Sequence, residues 1–219
     1  MFKGISRRLF LRVSVVLGAV GIFGTFLFGK VRSAAGKYIR PPGAVEESKF
    51  LGQCIRCFLC GEICPNMAIN FVGLEGNIAE WGTPYIMPRE QGCMLCMKCT
   101  HVCPTGALKK VKDDMDEIFK KVNMGKAVVD KSICYSYNNR VCGFCYGACP
   151  FPDVSLKLGD WARPEVQEDK CVGCGLCEKI CVQVPQAIRV IPRGAEHKRA
   201  LYEKYKMPEI EEPKEMFGM

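Results

Sequence analysis

The residues able to do chemistry are sixteen cysteines, and they stand in four tight groups. Three groups read C-x2-C-x2-C-x3-C: Cys54, Cys57, Cys60, Cys64; Cys93, Cys96, Cys99, Cys103; and Cys171, Cys174, Cys177, Cys181. The third in order is stretched, with Cys134 separated from Cys142 by seven residues, then Cys145 and Cys149. The groups open at 54, 93, 134 and 171, in steps of 39, 41 and 37 residues, so the chain carries a fourfold repeat. Proline follows the last cysteine in three groups, as Pro65, Pro104 and Pro150, and comes later in the fourth as Pro185.

Three thiolates two residues apart can wrap one corner of an iron–sulfur cubane, and a fourth cysteine opening a short helix reaches a different one. This is the ligand spacing of the bacterial ferredoxin run. It implies four 4Fe–4S clusters with all sixteen cysteines as iron ligands. Zinc sites built from cysteine alone use C-x-x-C pairs split by a long spacer rather than tight fours, and cysteines three apart on a tight loop pair poorly as disulfides. Four sites consume every thiol, so none is left for nucleophilic catalysis, no cluster lacks a ligand, and no catalytic residue is expected. Cys134 reads as a ligand with Tyr135–Val141 looped out. The long gap leaves a three-iron cluster or a non-cysteine ligand open there. Gly61, Gly143, Gly173 and Gly175 are expected to let backbone approach the clusters, with N–H groups turned to sulfur.

The elements that must position these loops are short. Each group is followed by an apolar or alternating run (68–72, 107–111, 154–158, 187–191), and the later groups are preceded by others (84–87, 127–129, 165–166). Each unit reads as strand, cluster loop with a short helix, strand. Two units make a ferredoxin-like lobe, and four make two lobes. The fold class expected is α+β: two bacterial-ferredoxin-like lobes built around four 4Fe–4S clusters, which staple a chain with little core of its own. Val111, Met115, Ile118, Phe119 and Val122 have helical spacing and predict an amphipathic packing helix over 111–122. Trp81 and Trp161 are expected to shield clusters from water, and Met94 and Met97 to pack around the second. His101 stands alone within its motif, where a Rieske centre needs two histidines; it reads as a neighbour tuning potential or as a surface residue.

Residues 1–35 hold six basic residues and no acid, and the remainder carries 25 basic against 23 acidic residues. The body therefore lacks the basic surplus of a nucleic-acid binder, and no nucleic-acid partner is expected. The start is laid out as an export signal: a basic segment, the apolar run 13–29, then Ser33-Ala34-Ala35. Ser6-Arg7-Arg8-Leu9-Phe10 looks like the twin-arginine motif, with Arg7 and Arg8 in place. Seventeen residues without a charge also reach the lower edge of a membrane span, so an uncut signal would anchor the protein. Twin-arginine machinery carries folded proteins, which explains metal-centre cysteines in an exported chain. The expected organisation is 1–35 signal or anchor, 36–50 linker around Pro41-Pro42-Gly43, 51–192 four-cluster domain in two lobes, and 193–219 charged tail.

With the twin-arginine start, the Trp81-Gly82-Thr83-Pro84-Tyr85 lead into the second group, the stretched third group and the plain fourth, the chain resembles the NapG/MauM-type periplasmic ferredoxins over nearly its whole length. The resemblance implies an electron-transfer component of a quinol dehydrogenase with no substrate site of its own. Electrons would come from the quinol pool through a polytopic membrane ferredoxin partner and leave to a periplasmic cytochrome or reductase chain, such as that of nitrate reductase. It also implies, from related exported subunits, that Cys181 joins Cys54, Cys57 and Cys60, that Cys64 joins Cys171, Cys174 and Cys177, that Cys149 joins Cys93, Cys96 and Cys99, and that Cys103 joins Cys134, Cys142 and Cys145. Two other functions compete: the iron–sulfur subunit of an exported molybdenum oxidoreductase or hydrogenase, and a redox-inert assembly factor.

Overall fold

The computed structural model describes residues 37–74 and 76–194, all within one compact unit. The proposed signal with Arg7 and Arg8, and the tail from residue 195 on, lie outside the described residues. Among the described residues no helix is long and apolar enough to cross a membrane.

The elements are brief because the cysteine loops interrupt the chain every few residues. In order they are α1 (Glu47–Gln53), α2 (Leu59–Glu62), β1 (Ile69–Phe71), β2 (Pro84–Ile86), α3 (Lys98–Val102), α4 (Met115–Lys121), β3 (Gly125–Val129), α5 (Phe144–Gly147), β4 (Leu156–Leu158), β5 (Pro164–Val166), α6 (Leu176–Ile180) and β6 (Ile188–Pro192). Three antiparallel pairs result: β1–β2, β4–β5 and β3–β6. Two lobes follow the same plan. In the second, β4–β5 is the inner pair and β3–β6 the outer, with Gly125 opposite Pro192 and Val129 opposite Ile188. In the first, β1–β2 is the inner pair, while the outer pair shrinks to a bridge between Ala44 and Leu108. The run 107–111 therefore forms no strand, although the bonds flanking the bridge, Val45 N–H to the Ala107 carbonyl (3.1 Å) and Lys109 N–H to the Gly43 carbonyl (2.8 Å), are made.

The helix expected over 111–122 begins later, at Met115. Asp114 caps it by accepting from the Glu117 N–H at 3.2 Å, so the local Asx geometry holds the preceding residues out of the helix. Ile118 and Val122 are buried as their spacing requires, and the Phe119 ring meets the Phe151 ring at 5.3 Å.

Residues 39–45, expected as linker, are packed into the first lobe. Ile39 bridges to Ile86, and Pro41 and Pro42 are fully buried. The anchor is Arg40, itself only 6% exposed. Its guanidinium meets the Glu47 carboxylate through Nε (3.0 Å to Oε2), donates from Nη1 to the Thr83 hydroxyl (3.0 Å) and the Pro84 carbonyl (2.8 Å), and lies against the Tyr38 and Phe50 rings. The buried Thr83 of the Trp81–Tyr85 stretch thus receives the N-terminal arm. Removing one partner of such a buried pair strands the other charge, at a cost of about 3–5 kcal/mol. Arg40→Ala is expected to cost about 3 kcal/mol in anaerobic denaturant unfolding, and Arg40→Lys to recover only part of it because the fork-like donor set is lost.

Candidate metal centres

The four short helices do the positioning. α2, α3, α5 and α6 each carry the third cysteine of a group (Cys60, Cys99, Cys145, Cys177) and stop at or just before the fourth. The fourth cysteine thus closes its helix, whereas the sequence suggests that it opens one. Each helix starts from a left-handed residue placed directly after the second cysteine: Phe58 (φ 63°), Met97 (52°), Gly143 (85°) and Gly175 (79°). The residue before the second cysteine is left-handed too in three groups: Arg56, Leu95 and Gly173. Alternating left-handed residues curl the backbone into the concave form that favours anions, with the thiols at its rim.

Four small cavities result, each bordered by four cysteines. Cys54, Cys57, Cys60 and Cys103 border the first. Cys64, Cys93, Cys96 and Cys99 border the second. Cys134, Cys142, Cys145 and Cys181 border the third, and Cys149, Cys171, Cys174 and Cys177 the fourth. Every sequence-predicted cysteine is therefore brought to a site. Cys134 stands with its three partners, while Val141 at the end of the intervening loop is 72% exposed.

The exchange of fourth cysteines corrects the pairing implied by the related exported subunits. Groups one and two swap with each other, as do three and four; Cys181 does not reach the first cavity, nor Cys64 the fourth. The reason is local. The inner hairpin β1–β2 folds the second group back on the first, and β4–β5 does the same in the second lobe, so the nearest cavity for each fourth cysteine lies within its own lobe.

The surroundings suit a bound cluster. Backbone N–H groups point at cysteine sulfur: Ala68 to Cys64 (3.4 Å), Leu108 to Cys103 (3.5 Å), Ala187 to Cys181 (3.3 Å), Ala127 to Cys171 (3.4 Å) and Leu95 to Cys93 (3.4 Å). The first three come from the residues that follow each fourth cysteine into its next strand or bridge. Burial, helped by the neighbouring sulfurs, pushes the Cys60, Cys93, Cys145 and Cys174 thiols up to about 12, and raises Cys99 and Cys177 as well. Burial also raises Cys103, but the N–H groups of Leu108, Thr105 and Gly106 and the Thr105 hydroxyl together outweigh it, and that thiol lies below its ordinary value. Crowded, desolvated sulfurs that stay protonated on their own fit iron ligation, in which the metal supplies the missing positive charge.

Several expected neighbours lie elsewhere. Met94 and Met97 do border the second cavity. Trp81 and Trp161 do not border any of the four and are 53% and 65% exposed, so neither shields a cavity. Trp81 contributes its carbonyl instead, accepting from Arg56 Nε at 2.8 Å, while Arg56 Nη2 donates to the Ala79 carbonyl at 2.9 Å. Arg56 goes unremarked in the sequence; the signal is a long cation at a loop position where the second and fourth groups have leucine and glycine. Gly61 is small because of the Phe71 ring, which a Cβ would meet at 2.7 Å, and not because of a cavity. His101 is a surface residue, its Nε2 2.9 Å from the Val111 carbonyl.

Comparison with known proteins places the chain among ferredoxin-type proteins. Residues 53–107, which span the first two cysteine groups together, match the 4Fe-4S dicluster domain family. The chain is 38% identical over 205 residues to the methylamine utilization ferredoxin-type protein MauM of Methylorubrum extorquens, covering 87% of this chain and 91% of that one. It is 37% identical over 204 residues to the MauM protein of Methylobacillus flagellatus, covering 88% and 82%. To the ferredoxin-type protein NapG of Escherichia coli it is 37% identical over 204 residues, covering 85% and 86%.

Because the buried thiols are protonated near neutral pH, iron must displace their protons, up to about four per cluster. Anaerobic cluster assembly is expected to release acid in a pH-stat and to weaken steeply as pH falls from about 8 to about 6. Stability of the iron-free chain has a different pH dependence. Thiols raised above their unfolded value of 9.0 stabilise it fully below about pH 9, and that contribution is lost as pH rises towards 12, which alkaline unfolding of the apo-protein would show.

Proposed function

Because the chain belongs to the NapG/MauM family of ferredoxin-type proteins, we propose that it is an exported four-cluster electron carrier in a quinol dehydrogenase. The observation that carries this reading is the set of four similar cavities, each bordered by four cysteines and by no carboxylate, histidine or lysine. Each 4Fe–4S cluster, when bound, supplies a one-electron couple. The protein's own part is to ligate, bury and hydrogen-bond, and so to set the potential at each site. With no carboxylate or imidazole among the cysteines to move protons, the lining supports a carrier whose bond-making chemistry belongs to its partners.

In this reading twin-arginine export through Arg7 and Arg8 delivers the loaded protein to the periplasm, where an uncut signal would hold it at the inner membrane. Electrons pass from the quinol pool through a polytopic membrane partner, by way of this chain, to a periplasmic cytochrome or reductase, with nitrate reductase as terminal acceptor. A second reading, service to amine metabolism, draws support from the MauM relatives, whose names refer to methylamine utilization and which match as well as NapG does.

Iron and sulfide analysis of anaerobically purified protein tests the proposal. About sixteen irons per chain and reduced-state EPR signals from interacting clusters are expected. Zinc, or far less iron under conditions that preserve clusters, would overturn it. A redox-inert assembly factor would bind the same iron but pass no electrons from a quinol analogue to a periplasmic oxidant in membranes holding the partner.

A further inference from the structure

The sites are neighbours in a definite order. Within the first lobe α2, which carries Cys60 of the first cavity, packs on α3, which carries Cys99 of the second, and this puts the two cavities side by side. Within the second lobe α5, which carries Cys145 of the third cavity, packs on α6, which carries Cys177 of the fourth, and this joins the third and fourth. Between the lobes one ligand residue bonds another: the Cys93 N–H donates to the Cys174 carbonyl at 2.7 Å. Cys93 borders the second cavity and Cys174 the fourth.

The seam around this bond is fitted closely. Gly92 lies against Gly175 and Leu176, where a Cβ would come within 2.9 Å of the Leu176 nitrogen. Gly175 lies against Pro88, where a Cβ would come within 2.4 Å of the Pro88 Cβ, and its φ of 79° already requires glycine. Asn66 Nδ2 holds the Gly92 carbonyl at 2.7 Å. The first cavity is bordered by the exposed Ile55, Phe58 and Leu59, with Cys57 itself exposed, and the third by the exposed Phe144 and Val182, whereas the second has one exposed side chain at its border, Met94, and the fourth has none.

We propose that the four sites form an unbranched line, first–second–fourth–third, in which the Cys93–Cys174 hydrogen bond is the junction between lobes and the first and third sites are the ends at which electrons enter and leave. The order along the path thus differs from the order along the chain. The proposal rests on the four-cluster reading above. An electron crossing the junction leaves one centre more oxidised by one electron and the other more reduced by one; no bond is made or broken. Source and sink are the quinol and the periplasmic oxidant already named.

Magnetic coupling in the reduced, full-length protein tests the order. Cys57→Ala, Cys96→Ala, Cys142→Ala and Cys171→Ala would each remove one site, confirmed by iron falling from about sixteen to about twelve per chain. Loss of the first or third site is expected to leave three mutually coupled centres. Loss of the second is expected to leave the first as an isolated, uncoupled EPR signal, and loss of the fourth to isolate the third. An isolated signal after Cys57→Ala or Cys142→Ala, or none after Cys96→Ala or Cys171→Ala, overturns the order. Gly92→Val keeps every ligand and serves if a ligand variant does not fold. It is expected to hold about sixteen irons while coupling falls to two separate pairs, with Gly52→Ala, which meets nothing within 4 Å, as the silent control; unchanged coupling in Gly92→Val overturns the junction. A wild-type iron content far below sixteen would instead sink the functional reading, independently of the order.

Discussion

Everything in this protein follows from the need to keep four sulfurs turned into one small volume, four times over. Thiols do not gather unaided; Cys60, Cys93, Cys145 and Cys174 are each pushed up to about 12 by the burial and crowding the arrangement imposes. Short helices, left-handed loop residues and three small antiparallel pairs are what remains of a fold once that demand is met. The apolar residues that are buried, such as Phe50, Met97, Ile118 and Val190, form one core cluster that takes in Cys99, Cys145, Cys174 and Cys177 and has most of the other cysteines packed against it. A chain of this kind is held together largely by its ligands, as small metal-bound domains are.

The parts of this architecture that were legible in the sequence are those fixed over a few residues. Ligand spacing marked all sixteen cysteines, and short apolar or alternating runs located β1 to β6, because both depend on neighbours within one turn or one strand. The exchange of fourth cysteines was not legible. Cys64 and Cys103 sit in identical local patterns, and only the return of the chain through β1–β2 decides which cavity each one meets. Trp81 misled for a related reason: its place before a cysteine group suggested a shield, whereas its carbonyl and the buried Thr83 are what the fold uses. Arg40 and Arg56 were hidden because a cation is ordinarily a surface residue. Nothing short of the tertiary structure shows that each has a ring of acceptors waiting.

The two lobes share a plan but differ in how closely each follows it. The outer strand pair is complete in the second lobe and reduced to a single bridge in the first, and the first borrows residues 39–45 to make up the loss. The arm that follows the proposed export segment is thereby part of the folded body, and the first lobe is complete only with residues 39–45 in place.

The left-handed positions differ between lobes in the same direction. The fourth group uses Gly173 and Gly175, to which the conformation comes freely, while the first and second groups force Arg56, Phe58, Leu95 and Met97 into it. Each such non-glycine residue holds strain on the order of 1–3 kcal/mol that persists only while its surroundings insist on it. The first lobe therefore carries this strain directly beside the second cysteine of each group, whereas the second lobe carries it elsewhere, at Asn139, Asp153, Trp161 and Ala162. When oxidation strips iron from the protein, the two halves will not fail together: the first lobe is strained at its cysteine turns and has only a bridge in place of an outer strand pair, which makes it the fuse of the molecule.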